Sequence, residues 1–465
     1  MSKKPKFEKQ KLQTITSPIK VGSVELKNRM WMAPMNETLS GVNGEMTEQC
    51  LSYFAARAKG GAAVVSLGAV MGTEMCSRYV WGRNLALFHT GHLQGMAMLT
   101  ERMHYFGSLV AAQMTIGFGR QGHSRNHHEL VPSSTAGLPY EMGWDKQPGG
   151  ALIRSFRAEA PRQDMIGQMT REMSIPEIHT EQKEYARSCQ LAVKAGFDII
   201  EIHAPHGYLE HSFLSPVINK RTDMYGGEWR NRKRFLNEVA EQIRYACPGV
   251  AVGVRISNME YFEGGLTQEE MIDVALDMEA RGMDYISLSS GGGYEETFLL
   301  VPDKDHAAPL PDIAADFKKA LKVPVIVASQ HDPVKSDGDI ASGKFDIAAL
   351  GRQLMIDPEY PNKVMNGDLD ELKICTRCNT CLTRCLAGIG PGCPLNPELG
   401  REYANPTYMI GPRQKHEHLI PPGMINKPMP ALERPWWKPE LPIIKKHFRK
   451  FRGPGPGPRD VDNLE

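Results

Sequence analysis

Five of the nine cysteines fall between residues 375 and 393, in the stretch ICTRCNTCLTRCLAGIGPGCPLNP: Cys375, Cys378, Cys381, Cys385 and Cys393. The other four, Cys50, Cys76, Cys189 and Cys247, are scattered. Thiols spaced C-x2-C-x2-C, with another eleven residues on, can wrap one inorganic cluster, and four thiolates are the usual ligand set of a 4Fe–4S centre. Gly388, Gly390 and Gly392 let the chain turn back to deliver the last ligand. Zinc and disulfides are the competing uses. Structural zinc favours paired C-x2-C knuckles, and the second pair is missing; disulfides belong to oxidising compartments. A second group stands in mid-chain, where GFDIIEIHAPHGYLEHSFLSP carries His203, His206 and Tyr208. Two imidazoles and a phenol at the end of a strand can grip a carbonyl oxygen and deliver a proton.

The elements that must position these groups are legible as short apolar runs alternating with helical patterns. Strands are predicted at 29–33, 62–67, 109–114, 198–203, 251–256, 285–289, 323–329 and 346–351, with helices between them at 47–59, 179–195, 230–246, 267–281 and 309–321. Gly60-Gly61, Ala195-Gly196 and Arg281-Gly282 suit helix ends that feed parallel strands. Eight βα units argue for a (β/α)8 barrel over an open doubly wound sheet. Such a barrel takes about 250 residues as one domain. Residues 115–175 and 290–308 are long insertions after strands three and six, at the face where barrels build active sites. They are expected to line the pocket, with Tyr140, Trp144 and Tyr294 as candidates.

Charge is balanced, 55 basic against 54 acidic residues. That removes any general attraction to nucleic acid or an anionic membrane. The N-terminus has no apolar run, so no signal peptide is expected. No window offers the roughly 18 apolar residues of a membrane span. Scattered cysteines and 25 methionines fit a reducing cytoplasm. Past residue 405 the chain becomes rich in Pro and Gly, with Trp436-Trp437 and the basic run at 445–452. This is read as an extended arm on the barrel or on a partner.

The 196–235 stretch, with its H-x-x-H-G-Y-L, F-L-S-P and N-K-R-T-D-x-Y-G-G segments, resembles the Old Yellow Enzyme family of flavin-dependent ene-reductases. The likeness runs from SPIKVGSVELKNRMWMAPM (17–35) to about residue 405. The cysteine run followed by LNPELGRE narrows it to the iron–sulfur branch, which includes dienoyl-CoA reductases, bile-acid enoate reductases and trimethylamine dehydrogenase. The resemblance implies FMN. Ala33, Pro34 and Met35 would lie along the isoalloxazine edge, Gln113 would bond its pyrimidine side, and Arg255 would stabilise the anionic reduced ring. Gly351 and Arg352 would hold the FMN phosphate. After strand seven the family's usual Gly-Gly is replaced by ASQHDP (328–333), where Ser329 and Gln330 are left to supply backbone N–H groups. The strand-three motif QMTIGFGR (113–120) also lacks the family's usual His. The branch's ligand spacing selects Cys375, Cys378, Cys381 and Cys393 and leaves Cys385 as a free thiol. Three segments result: an FMN-binding barrel over 1–370, a cluster-binding segment over 371–405, and the arm over 406–465.

On this reading the chain is an ene-reductase for an α,β-unsaturated carbonyl compound. His203 and His206 polarise the carbonyl, reduced FMN gives hydride to the β-carbon, and Tyr208 protonates the α-carbon. Longer relatives carry two dinucleotide-binding folds, and no strand–GxGxxG–helix fingerprint occurs over 400–465. Electrons are therefore expected from a separate subunit or carrier, or from NAD(P)H directly, with the chain in a homo-oligomer or hetero-complex. The alternatives are amine oxidation, with electrons leaving through the cluster, and an electron-transfer subunit of a larger assembly. No cysteine near 34–38 offers the covalent flavin link of trimethylamine dehydrogenase.

Overall fold

The structure, a computed structural model, describes residues 11–79, 83–122, 130–136, 170–261, 263–291, 310–328, 330–386 and 388–409. Eight parallel strands close into a barrel: β1 Met30–Met32, β2 Val64–Met71, β3 Leu109–Thr115, β4 Ile199–Ala204, β5 Ala251–Ser257, β6 Tyr285–Ser289, β7 Val325–Val327 and β8 Ile347–Leu350. Neighbours in the barrel are neighbours in the sequence. The helices around it include α1 Glu48–Lys59, α2 Leu93–Tyr105, α3 Ile175–Lys194, α4 Arg234–Ala246, α5 Gln268–Ala280, α6 Leu310–Ala320, α7 Pro333–Ala341 and α8 Tyr360–Asn366. This is the (β/α)8 barrel that the alternation predicts. Helix α3 begins four residues before its predicted start because Ser174 and Glu177 form a capping box ahead of Pro176. β7 is shorter than predicted. Ser329, Tyr140, Trp144, Tyr294, Trp436, Trp437 and the arm beyond Met409 lie outside the described residues. No described helix is long and apolar enough to cross a membrane.

The period of two along each strand sorts side chains into an outer and an inner set. Ile200, Ile202, Val252, Val254 and Ile256 point outward and join the large core beneath the helices. Ile199, Ala251, Val64, Ala111, Ile326 and Ile347 point inward and form the floor of the barrel. The floor is plugged by a hairpin pairing Ile19–Val21 with Val24–Leu26, whose Val21 and Leu26 are fully buried in that inner cluster. Trp31 and Tyr285 fill the centre with ring centroids 5.3 Å apart. A methyl group on Gly253 would stand 2.3 Å from the Tyr285 ring, so only glycine lets that ring cross the barrel.

The segment after α8 is docked onto the barrel by buried polar contacts. Arg57 of α1 pairs with Glu402 at 2.5 Å, with 0% and 3% of the side chains exposed. Asn396 Nδ2 donates to the Met355 carbonyl at 2.7 Å, and the Gln49 amide donates to Gly400 O at 2.6 Å. Leu372, Leu399 and Tyr408 belong to the same core as the barrel helices.

Several carboxyls sit inside this fold. Burial raises Glu37 and Glu238 to about 7 and Glu210 to about 8, from an ordinary value of 4.5. The folded chain therefore keeps protons that the unfolded chain releases. The resulting stabilisation is complete below pH 4.5 and is lost as pH rises through 7 to 8. The apparent Tm is expected to fall between pH 6 and pH 9. Glu210→Gln, which keeps the shape and removes the titration, flattens that fall; an unchanged pH dependence in Glu210→Gln would contradict the assignment.

Candidate functional site

Above the apolar floor the inward positions become polar. On β4 they are Glu201 and His203, on β5 Arg255, on β6 Ser289 and on β3 Gln113. Gln113 Nε2 donates to Glu201 Oε1 at 2.7 Å, and both are buried. Register places His203 beside Arg255 across β4 and β5. Arg255 donates to Ser289 Oγ at 3.3 Å, and the same hydroxyl bonds His206 Nε2 at 2.7 Å. Burial pulls Arg255 below its ordinary range, and the neighbouring Glu201 carboxylate opposes that shift. Burial raises Glu201, and Arg255 restrains it.

His203, His206 and Tyr208 lie together at the end of β4. Ring centroids are 5.3 Å apart for His203–His206, 5.2 Å for His203–Tyr208 and 6.1 Å for His206–Tyr208. His206 holds a left-handed backbone, φ +64°, where its N–H reaches Ser257 Oγ at 3.2 Å. A non-glycine residue in that region is strained, and such strain concentrates at functional sites. Tyr208 is half-buried, with its ring edge-on to Phe118 at 5.3 Å. Burial drives both histidines well below the ordinary imidazole value. Arg255 adds to that shift at His203, and His203, Arg255 and His211 add to it at His206. Both rings are therefore neutral at working pH, each with one N–H and one acceptor nitrogen.

Several residues expected along a flavin lie close together. A methyl group on Gly68 would lie 2.5 Å from Pro34 Cβ and 2.6 Å from Gln113 Oε1, so Gly68 is the gap across which these two approach. Ala33 N–H bonds the Leu350 carbonyl at 3.0 Å. A methyl on Gly351 would come within 3.1 Å of Met35 Sδ. The buried Arg255 Nε and His203 Nδ1 have no hydrogen-bond partner. Buried polar atoms are rarely left so, and this pair fits the polar edge of a planar ring seated on the barrel mouth. Arg352 donates to Asn379 Oδ1 at 2.5 Å. Gln330 faces its own loop, bonding Ala328 O and Ser336 Oγ at 3.0 Å each.

Cys375, Cys378, Cys381 and Cys393 line one pocket together with Arg352, Met355, Asn379 and Pro394. Cys385 is absent from that lining. It is buried on helix α9, Thr380–Leu386, with its thiol toward the Glu37 carbonyl at 3.8 Å. Arg377 and Asn379, which flank Cys378, both adopt left-handed backbones, φ +58° and +59°, and the Arg377 N–H points at Cys375 Sγ, 3.4 Å away. Left-handed residues interspersed in a short loop turn N–H groups to one side and suit a bound anion. Among the described residues, no three His, Cys, Asp or Glu side chains converge on the position of one metal ion. A single zinc ion needs its ligands about 2.3 Å from one point.

Glu201 and Ser289 were not singled out in the sequence. Their signal was parity: Glu201 shares the inward face with His203 in IIEIH, and Ser289 ends the inward row of YISLS.

A family model described as the NADH:flavin oxidoreductase / NADH oxidase family matches residues 14–371. NADPH dehydrogenase of Bacillus cytotoxicus is 30% identical over 363 residues, 77% of this chain and 93% of its own length. Cinnamate reductase of Clostridium sporogenes is 30% identical over 424 residues, 85% of this chain and 59% of its own length. A solved complex of 2-naphthoyl-CoA reductase with 2-naphthoyl-CoA matches with a TM-score of 0.74 at 26% identity, over 86% of this chain and 59% of that one. Barrel and mouth thus define a flavin-binding class of (β/α)8 proteins. The chain belongs to the NADH:flavin oxidoreductase / NADH oxidase family, the Old Yellow Enzyme family. It spans 59% and 56% of the first two curated relatives it matches.

The Glu201–Arg255 pair is open to direct measurement. Glu201→Leu removes the carboxylate whose charge offsets the burial of Arg255, which is expected to destabilise the fold. The denaturation midpoint of the flavin-free variant should drop accordingly. An unaltered midpoint would mean that Arg255 does not need this partner.

Proposed function

We propose that this chain is an FMN- and 4Fe–4S-dependent ene-reductase acting on a conjugated carbonyl compound. The observation that carries the reading is the convergence of two neutral imidazoles and a phenol above the Arg255–Glu201 layer. When bound, reduced FMN supplies a hydride for the β-carbon, and a 4Fe–4S cluster supplies single-electron exchange with the outside. His203 and His206 each turn an N–H to the carbonyl oxygen and stabilise the charge that develops there. Ser289 fixes the His206 ring, and Ser257 fixes its backbone. Tyr208 delivers the proton to the α-carbon, so that one hydride and one proton saturate the double bond. Relatives named for cinnamate and for 2-naphthoyl-CoA, both conjugated carbonyl compounds, support this substrate class.

The cluster assignment rests on the four thiols of one pocket and the left-handed backbones of Arg377 and Asn379 on either side of Cys378. Cys375, Cys378, Cys381 and Cys393 would be the ligands, and Cys385 would not.

Two outcomes follow. Tyr208→Phe is expected to bind substrate with unchanged affinity and to lose about a hundredfold or more in turnover, the usual scale for a positioned acid. Full turnover in that variant would remove Tyr208 from the reaction, and flavin reduction by methylated amines but not reoxidation by enoates would turn the reading to amine oxidation. Serine at any of the four proposed ligands lowers iron content under anaerobic preparation, whereas Cys385→Ser retains it. Loss of iron in Cys385→Ser with retention in Cys381→Ser would reverse the ligand set.

A further inference from the structure

The loop after β7 departs from the Gly-Gly pair expected of a phosphate cradle, and the side chains on either side of His331 are already committed. The Gln330 amide is bonded at both ends, to Ala328 O and Ser336 Oγ. Asp332 caps α7 and takes the N–H groups of Val334 and Lys335. Pro333 has no N–H to offer.

His331 differs from all of these. It is 7% exposed, and neither ring nitrogen has a hydrogen-bond partner. Its carbonyl accepts the buried Tyr360 hydroxyl at 3.3 Å, which fixes the backbone from the α8 side. Burial, then the Arg352 and Arg377 guanidiniums, push the imidazole down to about 3, against a small opposing pull from Gln353. The Gln353 amide is itself bound to Lys373 O and to the Cys375 N–H. A buried neutral imidazole with two idle nitrogens, set beside two cations, is a site prepared for an anion. It also stands after strand seven and beside the Arg352 that follows strand eight, the region where (β/α)8 barrels bind phosphate.

We propose that His331 is a phosphate-binding residue, its ring N–H joining the Arg352 guanidinium on the phosphate of FMN. The inference rests on the flavin reading above. It goes further in adding a side chain to the strand-seven half of the cradle.

Riboflavin shares the ring and ribityl chain of FMN and lacks the phosphate, so the two ligands separate a phosphate contact from any other effect. Flavin-free protein is titrated with each, with flavin fluorescence as the readout. His331→Ala is expected to weaken FMN about ten- to hundredfold, the scale of one charge-assisted hydrogen bond, and to leave riboflavin within about twofold. His331→Gln keeps one N–H donor and recovers part of the loss, which also covers the case of an alanine variant that does not fold. Equal weakening of both flavins, or of neither, overturns the proposal. So does a shifted visible spectrum of the iron-loaded protein with FMN affinity intact, which would assign the imidazole to the thiol pocket. Wild-type protein that binds neither flavin overturns the flavin reading itself, and this inference with it.

Discussion

Arg255 carries a charge into the interior of a closed barrel, and the rest of the mouth is arranged around that fact. A guanidinium held away from water must be matched by a carboxylate and by acceptors in place. Glu201 supplies the opposite charge from the next strand, Ser289 supplies an acceptor, and Gln113 occupies the other side of Glu201. Each is reached because strand side chains alternate and the barrel register sets β4 against β5. The cation then serves two ends. It offers an unpartnered Nε at the level where a planar cofactor would rest, and it helps keep His203 and His206 neutral. Removing it would take the opposite charge from Glu201 and leave burial to hold the histidines neutral.

The thiol loop is tied to this mouth through a few residues on either side of the short helix Arg352–Ile356. Arg352 bonds Asn379, Gln353 bonds both Lys373 and the Cys375 N–H, and Met355 accepts from Asn396. Below them the Arg57–Glu402 pair, with Tyr53 stacked 3.9 Å from the guanidinium carbon, anchors the far end of the segment. The residues that follow strand eight thus face the mouth and the thiol pocket at once. His331 occupies the same wall from the strand-seven side.

Much of this was legible in the sequence, and the exceptions have physical causes. The eight strands and the helices between them follow from apolar runs of the right length and from glycines that end helices; Gly61, Gly196 and Gly282 all take the left-handed backbone expected there. The His203–His206–Tyr208 group and the four thiols were readable because they are close in sequence and each type has a narrow range of uses. Glu201 and Ser289 were not, since a lone Glu or Ser in an apolar strand acquires meaning only when the register of the neighbouring strand is known. His331 was hidden for a related reason: its isolation depends on Asp332 and Gln330 having turned their polar groups elsewhere. The Gln330 side chain is drawn into its own loop by the Ser336 hydroxyl, which leaves the backbone N–H expected of it untouched.

The central claim is that one chain carries a two-electron centre at the barrel mouth and a one-electron centre in the thiol pocket, close enough to share reducing equivalents. An anaerobic reductive titration followed by visible absorbance and electron paramagnetic resonance tests it most directly. The account predicts about three electrons taken up per chain, with bleaching of the flavin band and a paramagnetic signal from the reduced cluster. Uptake of about two electrons by a yellow protein that contains no iron and develops no such signal would contradict it.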